Sequence, residues 1–336
     1  MRPALFLGIN VAVAGGLLAW LLSRHGGPAL ALLGAQPSLL ALAGAAAAAA
    51  AAFVGLALRW RMLLRGLGTG PGLGRLLAFR AAGQAVSTIV PSARLGGDPL
   101  RAWLLATTAT PAPAAIASVA VDRALEMGSS AGFAVLFALV LLQQGVPALH
   151  GPIVSGLLGA AAVVVGLAVT GRRLRQHAGL VTALLRGTGL ERLRAVQERM
   201  AVLGDAEAAA AGLIEQHRRL VRAFLVGVAV NLLTPLEYWL LLSAFGLPSG
   251  AVAVVAAIFA TGAAHSMPVP AGVGVLEGSQ VWLFGLLGHP ADVGLAVGLA
   301  VRLRELAWVA PGLLVLLFSM LGSARAPARA AAATDS

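Results

Sequence analysis

Long apolar runs alternate with short polar breaks along the chain, and the lengths of the runs predict membrane-spanning helices. Residues 3–22 and 38–58 carry no charge over 20 and 21 residues. At about 1.5 Å per residue, each is long enough to cross a hydrocarbon core of roughly 30 Å. The chain is apolar again from about 113 to 143, interrupted only by "VDRALE" at 121–126, and then over 152–171, about 222–245 and about 291–322. The pattern predicts six full spans. The first run is too long for the h-region of a signal peptide and the chain stays apolar after it, so it counts as a span.

Two stretches, about 76–109 and 250–289, fit no simple span because proline and glycine break them in the middle. The breaks read "VPSARLGGDPLRAW" (90–103) and "VPAGVGVLEGSQVW" (269–282), with Pro91, Gly96 and Gly97 in the first stretch and Pro268, Pro270, Gly272 and Gly274 in the second. Irregular backbone at membrane depth survives only where protein or a water-filled cavity covers it. These breaks are therefore expected to line a cavity.

Arginine placement sets the expected orientation. "RWRMLLRG" (59–66), Arg75 and Arg80 mark one cytoplasmic side, ten arginines against five acids in 172–222 mark another, and Arg325 and Arg329 mark the tail. Both termini are then cytoplasmic, and each broken stretch must enter and leave on one side as a re-entrant helical hairpin. The predicted architecture is an all-α polytopic bundle. An N-terminal membrane half (1–171) is followed by a basic cytoplasmic connector (172–221), a C-terminal membrane half (222–322) and a disordered tail (323–336). Within the connector, "GLERLRAVQERM" (189–200) and "DAEAAAAGLIEQHRRL" (205–220) are amphipathic and helix-permissive.

The two breaks also align with each other. A shift of 179 residues carries Pro91 onto Pro270, Asp98 onto Glu277, Trp103 onto Trp282, Arg123 onto Arg302 and Glu126 onto Glu305. Rare residue types coincide without a gap, which predicts an internal repeat, inverted by the topology above. Inverted repeats with discontinuous helices are a transporter signature.

Arg123 and Arg302 fall some ten residues into their helices, near the bilayer centre, where a charge costs roughly 2.5–3.5 kcal/mol on insertion scales. Each has a glutamate at i+3, Glu126 and Glu305, on the same helix face. Two readings stay open: the pairs neutralise each other as internal salt bridges, or, with Arg94, Asp98, Arg101, Glu277 and Arg304, they line a cavity for an anion such as phosphate. Asp98 and Glu277 stand where a carboxylate caps a helix or changes protonation state.

Composition removes other classes. The chain is 59% hydrophobic and 11% charged, and its net charge of +11 rests on 24 arginines and no lysine. These arginines lie beside or inside spans, so the membrane accounts for them before nucleic acid does. With no cysteine and six scattered histidines, no metal site and no cofactor are predicted. "GLGTGPGLG" (66–74) lacks the Lys-Ser/Thr of a phosphate loop and reads as a linker. His265 reads as a solvated histidine, with titration in a proton-coupled cycle as the other reading, and Asn231 and Glu237 around Pro235 read as a kink with a polar face or a helix end.

At its breaks the chain resembles the flippase-like membrane domain family, the membrane part of lysylphosphatidylglycerol synthases and its free-standing relatives. "VPSARLGGDPLRAWLL" with "VDRALE", and "MPVPAGVGVLEGSQ" with "RLREL", carry the likeness over about residues 38–322. The "VRLRELAWVAPGLL" ending is similar to a hopanoid-associated subgroup. The resemblance implies a bacterial inner-membrane protein that moves a lipid between leaflets, its anionic headgroup held by Arg94, Asp98, Arg101, Glu277, Arg123 and Arg302. It also brings lipid-synthesis enzymes into view as partners. Asp98 stands where the family more often has glutamate. The soluble aminoacyl-transfer domain does not follow, which argues against synthase activity. A membrane enzyme acting on headgroups and a scaffold working through the basic connector are the competing expectations.

Overall fold

The computed structural model describes residues 3–90, 96–176, 179–190, 193–267 and 269–334. Every regular element among them is helical. In order these are α1 (Pro3–Gly34), α2 (Leu39–Gly66), α3 (Leu73–Ile89), α4 (Gly97–Ala106), α5 (Ala112–Leu142), α6 (His150–Arg175), α7 (Leu180–Gly187), α8 (Arg194–Gln197), α9 (Met200–Glu215), α10 (His217–Ala244), α11 (Ala251–Ser266), α12 (Val275–Leu286) and α13 (Ala291–Thr334), with 3₁₀ turns at Pro147–Leu149 and Pro270–Gly272.

Four helices among the described residues are long and apolar enough to cross a membrane: Leu39–Gly66, Ala112–Leu142, Pro147–Arg175 and His217–Ala244. This is an integral membrane protein with multiple apolar spans. The runs predicted over 3–22 and 291–322 lie within α1 and α13, helices of 32 and 44 residues.

Local chemistry sets several helix ends. Ser38 caps α2, its hydroxyl accepting from the Ala41 amide at 3.3 Å. Proline opens α5, where the missing N–H would have had no helical partner. Arg172, Arg173 and Arg175 close α6 at its negative dipole end.

The connector differs from its sequence reading. Helix α9 stops at Glu215, and Gln216 takes φ −75°, ψ 60° before α10 begins, so 205–220 is not continuous. The reason is a tertiary contact: the Gln216 side-chain amide donates to the Gly66 carbonyl at the end of α2 at 3.0 Å. Helix α9 packs on α5 and α6 and buries Ala206, Ala210, Ala211 and Leu213, so it is part of the bundle. Helix α13 runs through the tail that the sequence reading leaves disordered, in keeping with its alanine content.

Helices α2 and α10 lie side by side and antiparallel. Ser38 N–H donates to the Ala244 carbonyl at 2.7 Å at one end, and Gly66 meets Arg219 at the other. Between them, a methyl on Gly44 would touch Leu240 at 3.3 Å and one on Gly55 would overlap Val230 at 2.7 Å. Hydrogen in place of these side chains lets the two helices approach over their whole length.

The two broken stretches each fold back on themselves. Helices α3 and α4 meet so closely that a Cβ on Gly97 would stand 1.9 Å from the Gly83 carbonyl oxygen, and the Gly97 amide donates to the Ser87 hydroxyl at 2.9 Å. Helices α11 and α12 are joined by Gln280, whose amide donates to the Ala257 carbonyl at 2.9 Å and the Thr261 hydroxyl at 3.0 Å. Helix α3 also packs on α13 and on the Pro270–Gly272 turn, which brings the first pair against the tip of the second.

Candidate functional site

Charged side chains gather at both folded-back pairs. At the first pair, Asp122 on α5 is fully buried and collects three guanidinium groups from three different helices. Arg59 Nε of α2 lies 2.7 Å from Oδ1, while Arg80 Nη1 of α3 and Arg101 Nη2 of α4 lie 3.1 and 2.8 Å from Oδ2. Glu126, one turn on, accepts from Arg59 at 3.3 Å, Arg80 at 3.2 Å and Arg123 at 3.1 Å. Asp98 holds Arg101 at 3.1 Å and Arg123 more loosely, 3.7 Å from Nε. Arg101 also lies over the Trp60 ring, 4.4 Å from its centroid, with the Trp60 indole N–H donating to Ser118 Oγ at 3.1 Å.

This cluster is graded in depth. The Arg59, Arg80, Arg101 and Asp122 side chains are 0–8% exposed, whereas Asp98, Arg123 and Glu126 are 20–29% exposed. Among the described residues it contains four guanidinium groups and three carboxylates, so its base is cationic, and its rim is partly exposed. Arg123 Nε, itself buried, makes no hydrogen bond among the described residues.

At the second pair, Arg302 of α13 grips the break between α11 and α12. It reaches Glu277 with Nε at 2.9 Å and Nη2 at 3.2 Å, donates to the Gly272 carbonyl at 3.2 Å and to the Ala271 carbonyl, and pairs with Glu305 at 3.3 Å. The break is bent by residues in the left-handed region, Ala271 at φ 52°, Gly272 at 59° and Gly274 at 76°. At Gly274 a Cβ would also stand 2.0 Å from the Ala14 carbonyl oxygen of α1. Beside this clasp, Arg304 makes a two-pronged ion pair with buried Glu237 of α10, its other nitrogen 2.8 Å from Oε2, and lies over Tyr238.

The candidate residues read from sequence therefore fall into two groups. Asp98, Arg101, Arg123 and Glu126 meet at the first pair, and Glu277, Arg302 and Glu305 meet at the second. Arg94, Pro91 and Pro268 lie outside the described residues. Gly97 and Gly274 are the glycines that close approach requires; Gly96 sits at an ordinary helical φ of −63°. Glu277 caps its own helix, Oε2 accepting from the Gly274 amide at 2.8 Å, whereas Asp98 turns to Arg101 and Arg123.

The sequence reading missed Asp122, although it lies inside "VDRALE", and it treated Arg59 and Arg80 as loop markers when both are buried. It also took His265 as solvated. The ring is buried beside Glu305 of α13, 2.9 Å from Nε2 to Oε1, with Nδ1 2.7 Å from the Thr261 carbonyl oxygen one turn earlier in α11. The available signal was the i, i+4 spacing of Asp122 and Glu126, two acids on one face that need cations from other helices.

Together the fold and its clusters define a class: a helical membrane protein whose broken-helix pairs are held by buried arginine–carboxylate networks. Residues 7–312 match the lysylphosphatidylglycerol synthase TM region, and the chain belongs to that family. It is similar to two proteins of Methanothermobacter thermautotrophicus, each described as a UPF0104 membrane protein. One is 24% identical over 280 residues, 79% of this chain and 81% of the relative. The other is 25% identical over 284 residues, 77% of each. No solved structure matches.

Proposed function

We propose that the protein moves a polar lipid between the leaflets of a bacterial cytoplasmic membrane, with a phosphate-bearing headgroup at the rim formed by Asp98, Arg123 and Glu126. The observation that carries this reading is the gradation of the first cluster. A cation-rich, buried base lies beneath a partly exposed rim, where Arg123 is held firmly by Glu126 but only loosely by Asp98, and its Nε keeps an unused donor. A phosphate would displace Asp98 from Arg123 and take that donor, forming charge-assisted hydrogen bonds with a guanidinium already fixed by Glu126.

The α3–α4 and α11–α12 pairs act in this reading as re-entrant hairpins of an inverted repeat. Two features support it. The order α2–α5, with starts at 39, 73, 97 and 112, recurs in α10–α13, with starts at 217, 251, 275 and 291. The corresponding first helices, α2 and α10, run antiparallel. Helices α1 and α13 complete six spans, the termini face the cytoplasm, and the two halves alternate access to the site.

Leaflet exchange of headgroup-labelled phosphatidylglycerol in liposomes containing the purified protein tests the proposal, with Arg123→Ala as the control. Exchange in the wild type that disappears in Arg123→Ala is expected. Equal exchange by both proteins would remove the rim from the mechanism. The family's link to a lipid-modifying synthase favours a second reading, in which the protein delivers or receives lipid for a separate headgroup-modifying enzyme. Lipid exchange that appears only when such an enzyme is co-reconstituted would select that reading.

A further inference from the structure

Helix α7 (Leu180–Gly187) takes no part in the clusters above. Its sequence, LVTALLRG, sets Leu180, Val181, Leu184 and Leu185 on one face and Thr182 and Arg186 on the other, yet none of its residues is buried. The start of the helix is fixed to the bundle by Glu207 of α9, whose carboxylate accepts from the Val181 amide at 2.6 Å and from the Thr182 hydroxyl at 2.7 Å. These bonds occupy the positive end of the α7 dipole and engage both oxygens of Glu207.

Between α7 and the last turns of α6 lies an open notch of about 340 Å³, lined by Val169 and Arg173 of α6, by Leu180 and Leu184 of α7, and by Thr188. Val165, Val169 and Arg173 follow at i, i+4 and i+8 on one strip of α6, and all three are exposed. The strip runs about 12 Å from Val165 to Arg173. Because α6 belongs to an apolar span, the notch continues a surface that acyl chains cover. At the end of that span Arg172, Arg173 and Arg175 are exposed together, and no acid occurs in the sequence between Glu126 and Glu191. An apolar floor under a cationic lip, at the level where a span ends, matches the two parts of a phospholipid that carries net negative charge.

We propose that this notch binds an anionic phospholipid of the leaflet at which α6 ends, its phosphate on Arg173 and one acyl chain along Val165, Val169 and Leu184. The arginines make that leaflet the cytoplasmic one, where anionic lipid concentrates. The site shares no residue with the rim at Asp98, Arg123 and Glu126. It also needs no transport, since a lipid held here stays in its leaflet and joins α7 to α6.

The absence of cysteine from the chain allows a direct test. Thr188→Cys, labelled with an environment-sensitive bimane, places one fluorophore at the notch of the full-length protein in detergent micelles. Phosphatidylglycerol added to the micelles should shift the emission saturably to shorter wavelength, whereas phosphatidylcholine, whose choline offsets its phosphate, should not. In Arg173→Gln the half-saturating concentration should rise about fivefold, the worth of one arginine at an anionic surface. Leu184→Gln should raise it as well, because the floor loses apolar area. Both residues are exposed, and a gel-filtration profile like that of the wild type checks that each variant is folded. Arg123→Ala, which alters the rim, should leave the titration unchanged. Equal response to the two lipids, or a titration unaltered in both Arg173→Gln and Leu184→Gln, would overturn the site. So would a response lost in Arg123→Ala, which would put the lipid at the rim, or a shift that follows protein concentration without lipid, which would give the notch to a second copy of the chain.

Discussion

Neutralising Asp122 tests the first cluster most severely, because one carboxylate holds three arginines there. The Asp122→Asn side chain keeps the shape but loses the charge, and its amide presents donors to guanidinium groups that are donors themselves. The contacts at risk are 2.7, 3.1 and 2.8 Å, from side chains no more than 8% exposed. At charge separations near 4 Å and an effective dielectric of about 20, each pair contributes about 4 kcal/mol of gross attraction. Most of that is offset by the cost of keeping the carboxylate out of water. What remains is the penalty for leaving buried cations uncompensated, about 3–5 kcal/mol. For a chain of this size that corresponds to a fall of about 6–20 °C in the unfolding midpoint. The assay is the folded fraction remaining after heating in detergent, read by size-exclusion chromatography at one fixed heating time, since such unfolding is irreversible. A midpoint within about 2 °C of wild type would refute the reasoning and mean that water or Glu126 already compensates these arginines. Glu198→Ala, which breaks the exposed Arg194–Glu198 pair at 3.3 Å, should leave the midpoint unchanged.

Further outcomes follow from the same geometry. Gly97→Ala should abolish folded protein, because its methyl has a backbone oxygen 1.9 Å away, whereas Gly262→Ala meets nothing within 4 Å and should hold or raise the midpoint in the same assay. Arg302→Ala should lower the midpoint as well as stop lipid exchange, since it strips the clasp from the Gly272 carbonyl and leaves Glu277 unpaired; Arg123→Ala, at the rim, should stop exchange with the midpoint little changed. Gln216→Ala removes the donor to the Gly66 carbonyl and should cost about 1 kcal/mol, visible as faster proteolysis between α9 and α10.

The membrane class, both breaks and the two i, i+3 pairs were legible because each rests on a local pattern: run length, proline and glycine, and spacing along one helix. The partners of those pairs were not. Arg59 stands next to an uncharged run and looks like any flanking arginine, yet α2 continues to Gly66 and carries it inside. Its burial depends on α5, and sequence distance conceals that contact. Asp122 was overlooked for a related reason. Its neighbours Arg123 and Glu126 satisfy each other on paper, whereas Asp122, on the Glu126 face of α5, finds its cations on three other helices. His265 shows the same limit: a histidine near a break reads as solvated until α13 is folded against it.

The Arg59–Asp122 contact has a consequence for biosynthesis. The partners are 63 residues apart in sequence. At about 5–20 residues per second, α2 exists for about 3–13 seconds before Asp122 is made. During that interval Arg59 has no counterion, but it lies within about 10 Å of the helix end at Gly66, near enough for its long side chain to stay in the headgroup layer. Helix α2 must therefore enter the bilayer in a shallow, provisional position and sink to its final depth only when α5 arrives, so that the nascent chain is not fully inserted until its fifth helix has left the ribosome.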